Sequence, residues 1–208
     1  MGRMIVTGPE EYAVTLPTTV KFPVELRPPP GFDPERLETW PKVEGRLEFV
    51  GGRLLYMPPC GDMQQDVVTD VVLALGEWAR SHREFVVGTN EAGIRLGSDS
   101  RGADAAIWKR EVLGPYTGQF RKVPPVLAVE VGGQDESALE LREKARWCLA
   151  VGVPHVWVVL PDERAVLTFS ADGERRFGLG AELPEVPELP GLSPEVAEFF
   201  RQLGPPSP

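Results

Sequence analysis

Apolar and polar residues recur with two different periods along the middle of the chain, and these periods predict its helices and strands. Between residues 63 and 81 the apolar positions return every three or four residues, which places them on one face of a helix: Val67, Val68, Val71, Val72, Leu75, Trp78 and Ala79. Asp62 precedes this segment and is expected to cap it. A second helix is predicted over residues 137–151, where Ser137 and Glu140 form a capping-box pattern and Gly152 marks the end.

Short apolar runs between turn residues predict strands. Two of them flank Gly51-Gly52, a pattern typical of a β-hairpin with a two-residue turn. The predicted strands cover residues 47–50, 53–57, 84–88, 93–96, 103–108, 126–131, 155–160, 165–169 and 175–177. The strand–helix–strand order from 126 to 160 predicts parallel neighbours, whereas the hairpins predict antiparallel ones. We therefore expect an α/β (α+β) protein with a mixed sheet.

Prolines mark the expected boundaries of the regular part. Eight of them lie in residues 1–42 and seven in residues 181–208, which leaves seven for the rest of the chain. Proline has no backbone N–H to donate to a ladder or a helix interior. We predict a Pro-rich N-terminal arm over 1–44, a domain over 45–180, and a Pro-rich C-terminal tail over 181–208. A short final helix is expected after Ser193-Pro194 in that tail.

Composition indicates in which cellular compartment the protein resides and which classes of binding partner are improbable. The net charge of −9 over 208 residues argues against broad adsorption to DNA or to an acidic membrane, although it leaves a local basic groove open. Cys60 and Cys148 form no CxxC pair, which fits a reducing cytoplasm without a disulfide framework or a zinc site. There is no apolar run of about 18 residues, so no membrane span is expected. The start of the chain lacks the apolar core of a signal peptide.

Three acidic residues stand inside apolar strands: Glu48 in RLEFV, Asp104 in RGADAAIW and Glu130 in VLAVEV. An ionised carboxylate near a core is costly unless it is paired, hydrogen-bonded or bound to metal. Two carboxylates at the ends of adjacent strands repel each other, and a divalent cation removes that repulsion. Carboxylate and carbonyl oxygens suit Mg²⁺ or Mn²⁺. Lys144, about two turns into the following helix, can point back at the strand end and orient a water there.

Four motifs carry a resemblance to a known family: LEFVGGRLLYMPP, RGADAAIW, LAVEV and ELREKARWCLAVGVPHVWVVLPD. With them, residues 47–160 resemble the PD-(D/E)XK nuclease superfamily and, within it, the Uma-two family of restriction-endonuclease-like proteins, formerly a domain of unknown function. The resemblance implies a restriction-endonuclease-like core with a mixed β-sheet flanked by helices. It also implies a metal held by Asp104, Glu130 and the backbone carbonyl of Val131, with Lys144 as the active-site lysine and Glu48 as an additional acid near the metal.

The chain departs from that pattern at four places. The superfamily lysine, two residues after the second acid, is replaced by Gly132, so the resemblance places this role on Lys144 in the helix. Ala103 stands where proline is usual before the first acid, and Met63 stands where the family often has histidine. GGQDE replaces the usual Ser-Pro-Ser-Thr stretch after Glu130.

Several candidate residues also have a plain structural interpretation. Asp104 alone is typical of a strand end or turn, and Glu48 fits the exposed face of an edge hairpin strand. Lys144 is spaced to pair with Glu140 one turn earlier on a solvated helix face. Three polar residues fit either a place near the site or simple surface exposure: Gln64, Arg101 and Arg142. His82 and His155 are interpreted as structural, so a Ser-His-Asp triad is not expected.

The leading hypothesis is a Mg²⁺- or Mn²⁺-dependent endonuclease that hydrolyses DNA phosphodiester bonds. Asp104 and Glu130 would hold the metal, Lys144 would position the attacking water, and Glu48 would complete a second metal site or orient Lys144. A homodimer is expected because cutting both strands often needs two sites related by a two-fold axis. The acidic balance and the GGQDE loop motivate an alternative, a catalytically inactive nuclease-fold module for binding or regulation. A third hypothesis, hydrolysis of a nucleotide or small phosphoester, predicts a closed pocket.

Overall fold

The computed structural model describes residues 2–6, 12–16, 20–134 and 136–205. Within these residues lie two α-helices, α1 (Asp62–Ser81) and α2 (Ala138–Ala150). Eleven strands lie in the same ranges: β1 Gly2–Val6, β2 Tyr12–Leu16, β3 Val24–Leu26, β4 Arg46–Val50, β5 Arg53–Met57, β6 Phe85–Leu96, β7 Asp99–Lys109, β8 Leu127–Val131, β9 His155–Leu160, β10 Ala165–Ser170 and β11 Gly173–Gly178. The chain divides into two compact units, one of residues 1–59 and 98–101, the other of residues 60–97 and 102–208.

The first unit is built on a β-hairpin. β3, β5 and β4 lie side by side in that order, and the start of β7 pairs with β4 through Phe49 and Ser100. β4 and β5 are antiparallel, as the sequence predicts. Gly51 and Gly52 form their turn with φ angles of 57° and 79°, positive values that glycine adopts without steric cost. β1 and β2 form a separate antiparallel pair.

The second unit contains a mixed sheet. β7, β8, β9, β10 and β11 are neighbours in that order, and β6 pairs with β7. β8 and β9 run parallel, with α2 between them in the chain. The pairs β7–β8, β9–β10 and β10–β11 are antiparallel. The predicted mixed sheet with accompanying helices is therefore confirmed.

Apolar side chains cover both faces of the second unit's sheet. On one face, Val67, Val71 and Leu75 of α1 belong to a buried cluster with Leu127 and Val129 of β8. The other face carries a cluster that contains Ala128 of β8 together with buried residues of α2: Leu141, Ala145 and Cys148. Because side chains alternate along a strand, β8 contributes to both clusters, and all five of its residues are buried. A charged residue on β8 therefore stands between two apolar layers.

The two helices begin differently. Ser137 caps α2 in the predicted capping box, since its hydroxyl accepts the N–H of Glu140 and its own N–H donates to the Glu140 carboxylate. The prediction that Asp62 caps α1 is wrong, because Gly61 is the cap residue and Asp62 is the first residue of the helix. The Asp62 carboxylate accepts the N–H of Met63 at 2.7 Å instead. Among the described residues, neither helix is long and apolar enough to cross a membrane.

Strand β6 is continuous where the sequence predicts two strands with a break between them. Gly88 and Gly93 are the residues at which the predicted strands 84–88 and 93–96 end and begin, and both lie within the continuous strand. A Cβ atom at Gly88 would lie 2.7 Å from the ring of Trp108, and one at Gly93 would lie 2.5 Å from the ring of Phe120. These glycines therefore admit aromatic rings close to the backbone rather than turn the chain.

The C-terminal segment packs against α1. Its buried apolar residues belong to the same cluster as the α1 face: Leu183, Leu189, Leu192, Val196, Phe199 and Phe200. The indole N–H of Trp78 donates to the carbonyl of Pro190 at 3.0 Å. The buried carboxylate of Asp70 accepts the backbone N–H of Gln202 at 2.9 Å. The short helix expected after Ser193-Pro194 is a 3₁₀ helix, Val196–Phe200.

Candidate active site

Asp104 and Glu130 occupy neighbouring strands of the second unit. β7 and β8 are antiparallel, with Ala105 opposite Val129, and the same register continued by one residue sets Asp104 opposite Glu130. Directly opposite residues of an antiparallel pair project from the same face of the sheet. Asp104 is 8% exposed and Glu130 is 5% exposed. The fold thus brings together two buried acids that are 26 positions apart in the chain.

A backbone hydrogen bond orients the Asp104 carboxylate. Its Oδ2 atom accepts the N–H of Val131 at 2.7 Å, and the backbone carbonyl of Asp104 accepts the hydroxyl of Thr89 at 3.3 Å. Hydrogen bonds from a backbone N–H to a carboxylate are charge-assisted and stronger than those between neutral groups. The Asp104 carboxylate is therefore held against the residue that follows Glu130.

Gln64 brings the first turn of α1 to the same place. Its Nε2 donates to the backbone carbonyl of Val131 at 2.8 Å. The Gln64 side chain fits because residue 133 is glycine, since a Cβ atom at Gly133 would lie 2.9 Å from the Gln64 Oε1 atom. The sequence leaves open whether Gln64 lies near the site or is simply exposed on the surface. Its contact with the Val131 carbonyl supports a place near the site.

Lys144 reaches the strand end from α2. Its Nζ atom lies 3.7 Å from Oε2 of Glu130, and its side chain is only 12% exposed. The ammonium group also hydrogen-bonds Oε1 of Glu136. The Glu140 carboxylate, meanwhile, accepts the N–H of Ser137 at 2.8 Å as part of the capping box. Lys144 therefore points inward to Glu130 and Glu136.

Glu136 is a site residue that the sequence reasoning missed. It lies in the loop between β8 and α2, where its Oε2 accepts the N–H of Gly133 at 3.2 Å. Its own N–H donates to the carbonyl of Gly133 at 3.2 Å, which closes a tight turn. The available signal was an acid eight residues before Lys144, just ahead of the helix cap. Glu136 precedes the first residue of α2, Ala138, so helical periodicity does not link the two residues.

Glu48 lies in the first unit, near the middle of β4, where it is 2% exposed. Its carboxylate lies 3.8 Å from Nε of Arg46 and 3.5 Å from Nη1 of Arg101. Two arginines of the same unit therefore accompany this buried acid. Its alternative interpretation as an exposed edge position does not hold, because the side chain is buried.

The other polar candidates have structural partners. Arg142 forms a two-pronged ion pair with Glu174 of β11, with Nη2–Oε1 and Nε–Oε2 distances of 2.8 and 3.1 Å. The hydrogen bond to Glu174 raises the pKa of the Arg142 guanidinium above its usual value. His82 stacks on Trp78 with ring centroids 4.3 Å apart. Arg142 thus links α2 to the edge strand of the sheet.

His155 pairs with Glu188 on the C-terminal segment. The His155 Nε2 atom lies 3.0 Å from Oε2 of Glu188. This hydrogen bond is the main reason why the pKa of Glu188 lies below its usual value. Together with the stacking of His82, it supports the interpretation of both histidines as structural.

A small open cleft borders the site. Its walls come from the start of α1, the loop after β8 and the turn after β9: Gly61, Asp62, Met63, Gln64, Gly132, Gly133, Gln134, Pro161 and Asp162. Gln64 and Gly133 belong both to this cleft and to the contacts around Val131. The cleft therefore adjoins the contacts of the Val131 carbonyl, whereas Asp104, Glu130 and Lys144 do not line it.

The donor atoms at this place suit a hard cation. The carboxylates of Asp104 and Glu130 and the carbonyl of Val131 are all oxygen donors, which Mg²⁺ and Mn²⁺ prefer over sulfur or imidazole. The carbonyl oxygen has two lone pairs, so the hydrogen bond from Gln64 leaves one for a further ligand. Among the described residues no group of three or more His, Cys, Asp or Glu side chains is placed to hold a metal. A cation here would accordingly be held by two side chains, one carbonyl, and water or substrate oxygens.

Comparisons with known proteins identify a family and a shared fold. A family model described as "Uma2: Putative restriction endonuclease" matches residues 34–198. A crystal structure of a putative nuclease belonging to DUF820 from Anabaena variabilis superposes with a TM-score of 0.70 at 17% sequence identity. That match covers 80% of this chain and 96% of the other, and at this identity it shows the shared fold. No curated protein matches the chain.

Proposed function

Because the chain belongs to the Uma2 family of putative restriction endonucleases, we propose that it is a metal-dependent endonuclease that hydrolyses phosphodiester bonds in DNA. The observation that carries the proposal is the meeting of Asp104, Glu130 and Lys144 at one place. Two buried acids stand opposite each other on β7 and β8, and the Lys144 ammonium lies 3.7 Å from Glu130. The structural neighbour from Anabaena variabilis is described as a putative nuclease, which is consistent with this function.

In this proposal Asp104, Glu130 and the Val131 carbonyl hold Mg²⁺ or Mn²⁺. The bound cation would supply Lewis-acid polarisation of the phosphate and a lowered pKa for an attacking water. The hydrogen bonds from Val131 N–H to Asp104 and from Gln64 to the Val131 carbonyl orient two of the three donors. Preorganised donors of this kind need no rearrangement at the moment of reaction.

Lys144 is proposed to orient the attacking water and to stabilise the negative charge that develops on the phosphate. Its ammonium is a compact point charge with three donors, and its burial keeps it inside the site. Placed beside Glu130, it can orient a water and stabilise negative charge on the phosphate oxygens in the transition state. Glu48, in the first unit, is paired with Arg46 and Arg101 and takes no part in the proposed step.

The proposal also includes DNA as the substrate, a homodimer as the assembly and the cytoplasm as the location. A nuclease that cuts both strands of a duplex commonly presents two active sites related by a two-fold axis. Small-angle scattering of the purified protein tests the dimer, since a monomer mass at micromolar concentration would contradict it.

Cleavage of supercoiled plasmid DNA tests the activity. We expect nicking in Mg²⁺ or Mn²⁺ and none in chelator. Asp104→Asn and Lys144→Met should each lower the rate about 100-fold or more, because each removes charge that acts on the transition state. Glu143→Gln is the matched control, since Glu143 is an exposed acid next to Lys144 on α2. A wild-type protein that cuts no DNA in either metal would contradict the proposal.

The second candidate function is a nuclease-fold module that binds without turnover. The GGQDE loop favours it, because Glu136 from that loop occupies one hydrogen-bond donor of Lys144. A titration of Mn²⁺ separates the two functions. Binding at millimolar metal with no cleavage would leave the module as the interpretation, whereas metal-dependent cleavage would exclude it.

A further inference from the structure

We infer that Glu136 is a positioning residue that holds Lys144 back from a direct hydrogen bond to Glu130, and that it thereby strengthens divalent-cation binding. The inference rests on the proposed function, because it concerns the same metal site. It starts from one arrangement: the Lys144 ammonium stands between two carboxylates and contacts them unequally. Nζ hydrogen-bonds Glu136 Oε1, whereas its distance to Glu130 Oε2 is 3.7 Å.

The unequal contact matters for Glu130. A separation of 3.7 Å is longer than a hydrogen bond, so Lys144 does not hydrogen-bond that Glu130 oxygen. A lysine without a second acid at hand would close this gap, because a direct ion pair in a buried place is favourable. It would then compete with a cation for the Glu130 carboxylate. Glu136 offers the ammonium another partner.

The loop holds Glu136 firmly enough for this task. Oε2 accepts the N–H of Gly133 and the backbone N–H of Glu136 donates back to the Gly133 carbonyl, both at 3.2 Å. The next residue, Ser137, is fixed by the capping box of α2. The Glu136 side chain is 26% exposed and that of Lys144 only 12%. The pair is thus anchored at both ends and partly shielded from water.

The negative charge of Glu136 favours cation binding, as its hydrogen bond to Lys144 does. Lys144 adds a positive charge beside Glu130, and this charge disfavours a second cation there. The Glu136 carboxylate offsets it without being required as a ligand. Replacing Glu136 by a neutral residue of the same shape therefore removes one negative charge in direct contact with Lys144, whatever other groups surround the site.

Calorimetric titration of Mn²⁺ into the full chain tests the inference. Glu136→Gln is expected to weaken Mn²⁺ binding about tenfold, since a change of about 1.4 kcal/mol corresponds to that factor. Glu136→Asp, which keeps the charge on a shorter side chain, should recover part of the loss. Glu143→Gln, an equal change of charge on the exposed face of α2, should stay within about twofold of the wild type, as expected for a screened surface charge.

A second background shows whether Glu136 acts through Lys144. In Lys144→Met the competing ammonium is gone, so adding Glu136→Gln should lower Mn²⁺ affinity no more than about twofold. The double-mutant cycle isolates this coupling, and a merely structural effect of Glu136 would appear equally in both backgrounds. Circular dichroism melts of each variant confirm that the compared proteins are folded.

The outcomes separate the inference from the function beneath it. A wild type that binds no Mn²⁺ would overturn the metal-dependent function and the inference with it. A wild type that binds Mn²⁺ while Glu136→Gln binds it equally well would overturn the inference alone. Equal losses with and without Lys144 would also overturn it, because Glu136 would then not act through the lysine.

Discussion

At the scale of single residues, Gly133 is the position where a small change has a defined consequence. A Cβ atom there would lie 2.9 Å from Oε1 of Gln64, the mobile end of a flexible side chain. Gly133→Ala is therefore expected to displace Gln64 from the Val131 carbonyl and cost about 1 kcal/mol of stability, the net value of one hydrogen bond. In the proposed function it also weakens Mn²⁺ binding, because the carbonyl loses its orientation.

Urea unfolding and Mn²⁺ titration measure the two effects of Gly133→Ala. Gly114→Ala is the matched control, because a Cβ atom at Gly114 meets nothing within 4 Å. Gln64→Ala should reproduce the weaker metal binding without any change at residue 133. Unchanged metal affinity in both Gly133→Ala and Gln64→Ala would show that this hydrogen bond does not serve the site.

Glu188 provides a residue-scale prediction for pH. Its hydrogen bond to His155 lowers its pKa in the folded protein below the ordinary value of 4.5. A lowered carboxyl pKa stabilises the fold above the unfolded pKa, and this contribution disappears as pH falls through the folded pKa. Since Glu188 is 42% exposed, the contribution near pH 7 should be only a few tenths of a kcal/mol.

Urea unfolding of Glu188→Gln across pH tests this sign. The variant should be slightly less stable than the wild type near pH 7, and the difference should shrink as pH falls below 4.5 and vanish once Glu188 is protonated in the folded state too. Glu185→Gln makes the same change of charge at an exposed neighbour and serves as control. A difference that grows towards low pH would contradict the assignment.

The residues of the site differ in how far the sequence alone could identify them. Asp104 and Glu130 have a local signal, because a charged residue inside an apolar strand needs a partner. Lys144 has a weaker signal, because its place two turns into the helix allows it to point back at the strand end and the resemblance to the family gives it the active-site role. The structure places it beside Glu130. Glu136 and Gln64 could not be assigned, because their contacts depend on a tight turn after β8 and on where α1 docks. Neither feature has a periodic pattern.

At the scale of elements, α2 depends on its capping box. Ser137 accepts the N–H of Glu140 and so satisfies one backbone donor at the helix start. Ser137→Ala should lower stability by about 1 kcal/mol, as loss of an N-cap oxygen usually does. Chemical denaturation measures the change. Ser137→Thr keeps the hydroxyl and should lose less than half as much, so equal losses in the two variants would contradict a capping role.

Elements were predictable where local chemistry decides them. The Gly-Gly hairpin and the capping box of α2 are specified by a few adjacent residues, and both are confirmed. Strand β6 was predicted as two strands, 84–88 and 93–96, which end and begin at Gly88 and Gly93. The rings of Trp108 and Phe120, which Gly88 and Gly93 accommodate, come from elsewhere in the chain and leave no trace in the local sequence.

At the scale of the whole molecule, the C-terminal segment is part of the second unit's core. Leu183, Leu189, Phe199 and Phe200 are at most 2% exposed. Each buried side chain of this size contributes about 1.5–3 kcal/mol, and together they approach the net stability of a typical domain, about 5–15 kcal/mol. A chain truncated after Gly180 is therefore expected to show no cooperative unfolding transition.

Thermal melts followed by circular dichroism test the truncation. A shorter truncation after Pro205 leaves every described contact of the segment in place and should melt like the wild type. A cooperative transition at the wild-type midpoint after truncation at Gly180 would show that residues 181–205 are dispensable for the fold.

The mixed sheet could be predicted because the strand–helix–strand order requires parallel neighbours and the hairpins require antiparallel ones. The packing of the C-terminal segment could not. Proline content reports where regular hydrogen bonding stops, and seven prolines do mark residues 181–208. It says nothing about where apolar side chains between the prolines settle. The contacts of Trp78 with Pro190 and of Asp70 with Gln202 connect positions 112 and 132 residues apart.

The long reach between Asp70 and Gln202 has a consequence for how the protein is made. A ribosome releases the chain from its N-terminal side, so α1 emerges long before the segment that covers it. The part of the α1 surface around Asp70 and Trp78 consequently remains open to chaperones and to other nascent chains until residues 183–202 have left the exit tunnel. The protein can complete its second unit only late in translation, and the speed of translating the final stretch governs how long this surface stays uncovered.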